Sequence, residues 1–388
     1  RSVLQLARVL SPRQFAEFVR LGTAMLLRQP RPEERTQTYR DWLDRRISRA
    51  ASPELYAYFE RVCHFALSVD LDDVLYPEIV ETTKNMFRYG VPGIVDGGCA
   101  ALTGELERRV VAGGADLRLQ HDVIAIEQQD NTVTGVRVRA KATGAETLLR
   151  APMVISNIGP WATHRLVALP EDVAIHAGAA VAGRIPPRIP LPGGEQPGRA
   201  NSETAVPRAV ASGLKVHLLS DESIIPHRGI MYCLDTERIA GVVQPSNSDR
   251  RLAPPGKHLL ITHQLMRSDD VNVEREAARA DLRRLFGDDF GTKVTILTMS
   301  QYRGEWPVNR AVQGEDVMPA TGVSGLYLVG DAVKPSGYLM VEGVAQSVNA
   351  LLDTLDDPAN QTPHTPPKPP KWRAFHWLVA PPPPHPGS

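Results

Sequence analysis

Several signals that would settle a protein's function at once are scarce or absent in this sequence of 388 residues. Its three cysteines, Cys63, Cys99 and Cys233, are far apart and none belongs to a C-x-x-C pair, which argues against a structural zinc or a disulfide framework. We therefore predict no metal site and a reducing compartment. The formal net charge is zero and the pI is about 7.3, so the broad basic field that non-specific nucleic-acid binding needs is missing. We expect no nucleic-acid partner.

Long apolar runs are missing as well. No stretch approaches the roughly 20 residues that a membrane span requires, and no signal peptide opens the chain, so we predict a cytoplasmic location. The chain begins with Arg1 instead of methionine, and we interpret it as a processed product, a fragment or one piece of something longer. Apolar residues make up 42% of the composition, which suffices for a sizeable core divided between two lobes.

Residues 1–92 carry the periodicity of helices. Ser11-Pro12-x-Gln14 predicts a capping box with proline at the first helical position, and apolar side chains then follow the helical repeat. Ser52-Pro53-Glu54 indicates a second helix start, again followed by an apolar stripe. We predict that this segment forms the helical part of a substrate-binding lobe.

Residues 93–165 carry the signals of a turn, a helix and several strands. A Gly-Gly turn leads into a helix that stops at Gly113-Gly114. Partial alternation then predicts three short strands, at 116–119, 122–127 and 134–140. The stretch LLRAPMVISNIGP predicts one further apolar strand that breaks at Ser156-Asn157, and continuous apolar strands of this kind are typical of the interior of parallel sheets. We predict that this segment belongs to an α/β domain.

Residues 166–310 predict a second, α+β lobe that covers the substrate. LKVHLLS, GIMYCLD and HLLITHQLM are typical of strands, and VEREAARADLRRLFG is typical of an amphipathic helix. Residues 359–388 form a proline-rich tail that cannot build a helix or sheet of any length. Trp372, Phe375 and Trp377 in this tail predict docking against protein, and a shallow anchor at a membrane surface is the alternative.

The stretch LYLVGDAVKPSGYLMVEGVAQSVNALLDTL, within residues 311–358, combines a buried strand, a Gly-Asp pair, a loop and a long helix. The strand would deliver Gly330 and Asp331 to the carboxyl edge of a sheet, where open α/β proteins bind ligands. A glycine lets the backbone approach a ligand, and a carboxylate accepts hydrogen bonds from hydroxyls. The first turn of the helix, near Leu339–Glu342, would aim free N–H groups and a positive dipole end at the same ligand.

This motif resembles the C-terminal flavin motif of the phytoene desaturase-like flavoproteins, which belong to the wider amine oxidase superfamily. The resemblance implies that Asp331, next to Gly330, binds the ribityl chain of FAD. It also implies that the backbone of Met340, Val341 and Glu342 faces the N1/O2 edge of the isoalloxazine ring. These five residues are the cofactor-binding candidates at this end of the chain.

A second stretch, DGGCAALTGELERRVVAGGADLRLQHDVIAIE, resembles the family segment in which a strand contacts adenine through the backbone of a valine. Val123 is the matching residue. APMVISNIGP, PPGKHLLIT and EWPVNRA also resemble family segments, so the resemblance covers most of residues 93–355. The fold that it implies is α/β, with a glutathione-reductase-like FAD-binding domain assembled from the separate segments 93–165 and 311–358 and a second α+β substrate lobe.

The largest departure from the family is the missing dinucleotide fingerprint. Flavoproteins of this kind open with a βαβ unit that carries G-x-G-x-x-G and holds the pyrophosphate. No such pattern occurs in these 388 residues, and GVPGIVDGG has the wrong spacing. We therefore predict that the FAD-binding domain is incomplete in this chain. A separate polypeptide that supplies the N-terminal βαβ unit is the expected partner, and FAD would bridge the two chains.

The resemblance implies an FAD-dependent oxidoreductase that exchanges a hydride with a lipophilic substrate of the isoprenoid or polyene class. Desaturation, saturation and isomerisation all stay open, and no acid–base residue stands out. Trp306 and Tyr338 are candidates for the pocket wall, and His217, His258 and His263 are interpreted as structural or surface residues. Two alternatives stay open: a non-catalytic prenyl-binding protein with the fold of the GDP-dissociation inhibitors, and a flavin amine oxidase.

Overall fold

A computed structural model describes residues 2–90, 93–167, 212–303 and 317–356. Trp306 and the proline-rich tail, with Trp372, Phe375 and Trp377, lie outside these ranges. The first range is helical, with α1 at Ser2–Val9, α2 at Pro12–Leu27, α3 at Tyr39–Asp44, α4 at Pro53–Val62 and α5 at Tyr76–Tyr89. These helices enclose one apolar core whose fully buried members include Leu21, Leu43 and Leu55, and in which the rings of Trp42 and Tyr76 stack at 4.2 Å.

The start of α2 confirms one half of the predicted capping box. Ser11 is the N-cap, and its hydroxyl accepts the backbone N–H of Gln14 at 3.3 Å. The Gln14 side chain does not return to the Ser11 backbone; its amide donates to Glu54 on α4 at 2.7 Å. The contact between helices therefore replaces the second bond of the box, because Gln14 is buried against α4.

Replacing the cap tests how far this local signal stabilises the helical unit. Ser11→Ala removes the acceptor for the Gln14 N–H and is expected to lower the free energy of unfolding by roughly 0.5–2 kcal/mol. Ser11→Asp keeps an acceptor and is expected to lose much less. Urea unfolding followed by circular dichroism measures both variants, and equal losses in the two would contradict a capping role for Ser11.

The second range contains a helix, α6 at Gly98–Ala112, followed by an antiparallel sheet in the order β1-β2-β3. These strands span His121–Gln129, Thr132–Ala140 and Glu146–Arg150. The strand predicted at 116–119 is wrong, since residues 115–118 belong to no helix or strand and residues 119–120 form a turn. The single strand predicted in LLRAPMVISNIGP is two strands, because Ala151-Pro152 separates β3 from β4 at Val154–Ser156. A short helix, α7 at Pro160–Leu166, follows.

The third range forms a five-stranded antiparallel sheet in the order β6-β7-β8-β5-β9. The strands are β5 at Ser212–Ser220, β6 at Met231–Tyr232, β7 at Gly241–Val243, β8 at His258–Leu265 and β9 at Val294–Arg303. One face packs on α8, at Val271–Phe286, and buries Leu214, Val216 and Leu282 completely. An ion pair between Arg267 and Asp70, which also binds His64 at 2.8 Å, joins this lobe to the helical unit.

The last range closes the fold by returning to β4. Strand β10, at Leu326–Leu328, runs parallel to β4, with Leu326 opposite Val154 and Leu328 opposite Ser156. The loop after it leads into α9 at Met340–Asp356. Among the described residues, β4 and β10 form a sheet of two strands only. None of the described helices is long and apolar enough to cross a lipid bilayer.

Candidate functional site

The candidate site lies where the carboxyl ends of β4 and β10 meet. The Val329 N–H donates to the Ser156 carbonyl at 2.9 Å, so the residues that follow the two strands start side by side. Asn157 follows one strand, and Gly330 and Asp331 follow the other. This edge is where open parallel sheets bind ligands. The structure thus places the Gly-Asp pair at the kind of edge that the sequence predicts.

Gly330 fixes the turn at this edge. Its φ of 108° lies in the region that disfavours a β-carbon, so glycine suits this position better than any other residue. Its N–H donates to the Ser347 hydroxyl on α9 at 2.8 Å, which ties the strand end to the helix. Asp331 follows, half-buried, and begins a short 3₁₀ turn at Asp331–Val333. The carboxylate therefore sits on a turn that the glycine and the helix hold in place.

The N-terminal turn of α9 is the second candidate part of the site, about two turns before Ser347. Met340 and Val341 are 50% and 57% exposed, and Glu342 in the same turn is also exposed. Met340 has a φ of 53°, in the left-handed region, and such strained backbone is concentrated at functional sites. The first N–H groups of a helix have no partner within the helix, so this turn offers donors and a positive dipole end.

Val123 lies apart from the Gly-Asp edge, in the three-stranded sheet. Its strand, β1, is at the edge of that sheet, and the valine side chain is 45% exposed. The pairing of β1 with β2 shifts register between Val123 and Ala125, which interrupts the ladder at this point. The backbone here is open on its outer side among the described residues, as a contact with adenine would require.

Tyr338, a candidate for the pocket wall, is 4% exposed and lies in the loop before α9. Burial raises the pKa of its phenol, and the neighbouring Tyr89 raises that pKa further. The tyrosine is therefore a neutral, buried group near neutral pH. Trp306, the other candidate, is outside the described residues.

Sequence reasoning missed a buried ion pair between the loop and the helical unit. Lys334 Nζ lies 3.1 Å from Glu78 Oε1 on α5, and neither side chain is exposed. Lys334 lies within the Gly-Asp motif, so the sequence alone places it in the loop between β10 and α9. Glu78 gave no signal, because a glutamate in the first turn of a helix is common at a solvated N-terminus.

The face of the five-stranded sheet opposite α8 carries a second polar cluster. Lys215 on β5 lies opposite His263 on β8, and His263 Nε2 is 2.9 Å from the Tyr302 hydroxyl on β9. Burial, aided by the charge of Lys215, lowers the pKa of His263 to about 3. The same two causes lower the pKa of His217, two residues further along β5. Both histidines are therefore neutral near neutral pH, and His263 is a buried partner of Tyr302 instead of a surface residue.

The groups at the β4–β10 edge fit a flavin. A carboxylate suits the ribityl hydroxyls, a glycine in the left-handed region lets the backbone approach, and helix N–H groups suit an electron-rich ring edge. Among the described residues, no group of three His, Cys, Asp or Glu side chains is arranged to hold a metal ion.

Comparison with known proteins gives the family. The model of the flavin-containing amine oxidoreductases matches residues 1–347. An uncharacterized protein of Methanocaldococcus jannaschii is 30% identical over 293 residues, which are 75% of this chain and 62% of that protein. The chain thus spans less than two thirds of that relative's length.

Two crystal structures are similar over most of the chain. An oxidoreductase from Methanosarcina mazei is 28% identical, with a TM-score of 0.70 over 89% of this chain and 74% of that one. A protein from Pyrococcus furiosus shares the fold at 21% identity, with a TM-score of 0.60 over 87% of this chain and 71% of that one. These findings confirm the resemblance at the level of the superfamily. The chain belongs to the flavin-containing amine oxidoreductase family, and its cofactor is FAD.

Proposed function

We propose that this chain is the larger part of an FAD-dependent oxidoreductase that exchanges a hydride with a lipophilic substrate of the isoprenoid or polyene class. The observation that carries the proposal is the position of Gly330 and Asp331 at the carboxyl edge of β4 and β10, where the Gly330 N–H is bonded to Ser347 of α9. FAD, when bound, supplies the hydride chemistry, and the protein supplies orientation and electrostatics.

The chain's own groups act on the cofactor by holding it. Asp331 would accept hydrogen bonds from the ribityl hydroxyls of FAD, and the N–H groups of Met340, Val341 and Glu342 would hold the N1/O2 edge of the ring. The backbone of Val123 would contact adenine. These assignments transfer the family's roles to the matching positions, and the exposed α9 turn supports them.

Apolar side chains near the flavin loop favour a lipophilic substrate. Met86 and Phe87, at the end of α5, are 41% and 43% exposed. The neighbouring Asn85 donates to the Gly337 carbonyl at 2.9 Å, so the end of α5 lies beside the loop that precedes α9. A polar substrate would gain little from such surroundings, because apolar surface favours apolar ligands.

We further propose that a separate polypeptide with a G-x-G-x-x-G βαβ unit completes the FAD-binding domain. Helix α6 has no buried residue along its whole length, and Leu106, Val110 and Val111 are each at least 50% exposed. Helix α9 presents a second apolar stripe, in which Val341, Val344, Val348 and Leu352 are all exposed. Contiguous apolar surface of this kind marks an interaction site.

The sheet of β4 and β10 supports a βαβ unit as the occupant of this surface. Parallel strands are almost always covered on both faces and belong to sheets of more than two strands. Met153, which directly precedes β4, and Ile155 within β4 are 44% and 49% exposed. A unit that adds parallel strands and a crossover helix would extend this sheet and cover α6 and α9 together. The same unit would bring the pyrophosphate site that this chain lacks.

The colour of the native protein tests the enzyme proposal. A flavin complex absorbs near 450 nm, roughly the wavelength of the oxidised cofactor itself. Reduction of that band under anaerobic conditions by an isoprenoid or polyene substrate, or reoxidation by it, is the expected result. A colourless native complex that binds prenyl chains would favour the carrier alternative, and bleaching by amines alone would favour an amine oxidase.

A further inference from the structure

The loop between β10 and α9 is fastened to α5 by a buried polar cluster around Glu78. Glu78 Oε1 pairs with Lys334 Nζ at 3.1 Å. Glu78 Oε2 accepts the Ser336 hydroxyl at 2.5 Å and the Gly337 N–H at 3.1 Å. Three residues of one short loop thus converge on a single carboxylate of another structural unit. We call Glu78, Lys334 and Ser336 the loop clamp.

Stability alone is a weak explanation for this pair. Removing two charges from water costs several kcal/mol per ion, and a well-packed apolar pair of similar volume is often as stable or more stable. Both side chains are 0% exposed, so water does not lower that cost. Buried ion pairs are in some proteins retained because they fix one geometry, and the position of the clamp indicates what is fixed here.

The clamp bears directly on the first turn of α9. A β-carbon at Gly343 would lie 2.7 Å from Lys334 Cδ, so the lysine stem packs against the helix one turn after Met340. Gly337 is equally confined, because a β-carbon there would lie 2.8 Å from both Asn85 Nδ2 and Glu81 Cβ. Leu339, the residue before the helix, packs on the apolar core of the helical unit. The N-terminus of α9 therefore cannot shift unless the clamp shifts.

We propose that Glu78 and Lys334 are positioning residues that hold the first turn of α9 against the flavin ring and thereby set the reduction potential of the bound FAD. The proposal rests on the proposed flavin site. Reduction makes the ring more electron-rich, so fixed N–H donors and a helix N-terminus favour the reduced form over the oxidised form. A turn that is free to move loses part of this preference.

The test uses the flavin-loaded complex of residues 1–388 with the βαβ partner, in which this chain carries Glu78→Gln, Lys334→Met, their combination or Ser336→Ala. Each single variant at the ion pair is expected to weaken binding of reduced FAD relative to oxidised FAD about tenfold, which lowers the midpoint potential by about 30 mV for a two-electron couple. Ser336→Ala, which removes one hydrogen bond at the rim, is expected to change the potential in the same direction by a smaller amount.

Removal of an exposed pair provides the matched control. Lys293 and Glu222 lie 3.3 Å apart on the sheet lobe and are 49% and 69% exposed. Lys293→Met and Glu222→Gln are expected to leave the potential and the shape of the flavin spectrum unchanged. If Glu78→Gln or Lys334→Met fails to fold, the double variant and Ser336→Ala still decide the question.

An unchanged potential and an unchanged flavin spectrum in Ser336→Ala and the double variant would overturn the proposal, even if thermal stability falls, because the clamp would then be structural only. Failure of the proposed function looks different: the unaltered complex of residues 1–388 with the βαβ partner would bind no flavin, which would overturn the role of the clamp as well.

Discussion

Expressed without a partner, residues 1–388 are expected to self-associate and to leave FAD unbound. The physical reason is the exposed apolar surface of α6, α9 and the β4–β10 pair. On an isolated chain, exposed apolar surface of this kind promotes association with other copies. Co-expression with a polypeptide that carries a strand–GxGxxG–helix unit is expected to give a soluble complex with one FAD. Light scattering, binding of a hydrophobic dye and flavin absorbance measure the two preparations side by side.

Charged substitutions on α9 make this comparison sharper. Val344→Glu with Val348→Glu is expected to reduce self-association of the lone chain and to prevent assembly with the partner. Val273→Glu, on the exposed side of α8, is the matched control, because Val273 is 49% exposed in the other lobe. A lone chain that is monomeric and binds FAD stoichiometrically would show that no separate polypeptide is needed to complete the FAD-binding domain.

Asp331→Ala is expected to weaken FAD binding by roughly 10- to 150-fold, since it removes a charge-assisted hydrogen bond worth roughly 1.5–3 kcal/mol. Asp331→Asn keeps the shape and one acceptor, so its loss is expected to be smaller. Fluorescence of released flavin during dilution of the complex measures the dissociation constant.

A surface carboxylate serves as the control for Asp331. Asp235 lies on the sheet lobe, is 69% exposed and faces Arg284 at 3.6 Å. Asp235→Ala is expected to retain flavin as the unaltered protein does. Equal flavin retention in Asp331→Ala and Asp235→Ala would remove the main support for placing the ribityl chain at Asp331.

The local parts of the site could be predicted from the sequence because each has a short-range cause. The apolar run of β10, the need for glycine at position 330 and the helical period of α9 all lie within one stretch of chain. The same holds for the Ser11 cap, whose acceptor and donor are three residues apart. Such signals depend on backbone conformation and periodicity, which neighbouring residues determine.

The rest could not be predicted because its partners are far apart in sequence. Lys334 and Glu78 meet across 256 positions, and neither residue type in isolation indicates a buried pair. Gln14 was expected to close a local box, but its amide is taken by Glu54, forty positions away. The division of LLRAPMVISNIGP into β3 and β4 likewise follows from partners elsewhere, since β3 pairs with β2 and β4 with β10.

The pairing of β4 with β10 has a consequence for the order of folding. All of the five-stranded sheet lies between these two strands in sequence, so they meet only when that lobe has folded and brought its ends together. Long-range parallel pairing is slow because the chain loses loop-closure entropy before the favourable contacts between the strands form. In a refolding experiment, the flavin signal is therefore expected to lag behind the far-ultraviolet circular dichroism signal. A substitution that slows the sheet lobe would delay cofactor uptake although it touches no cofactor-binding residue.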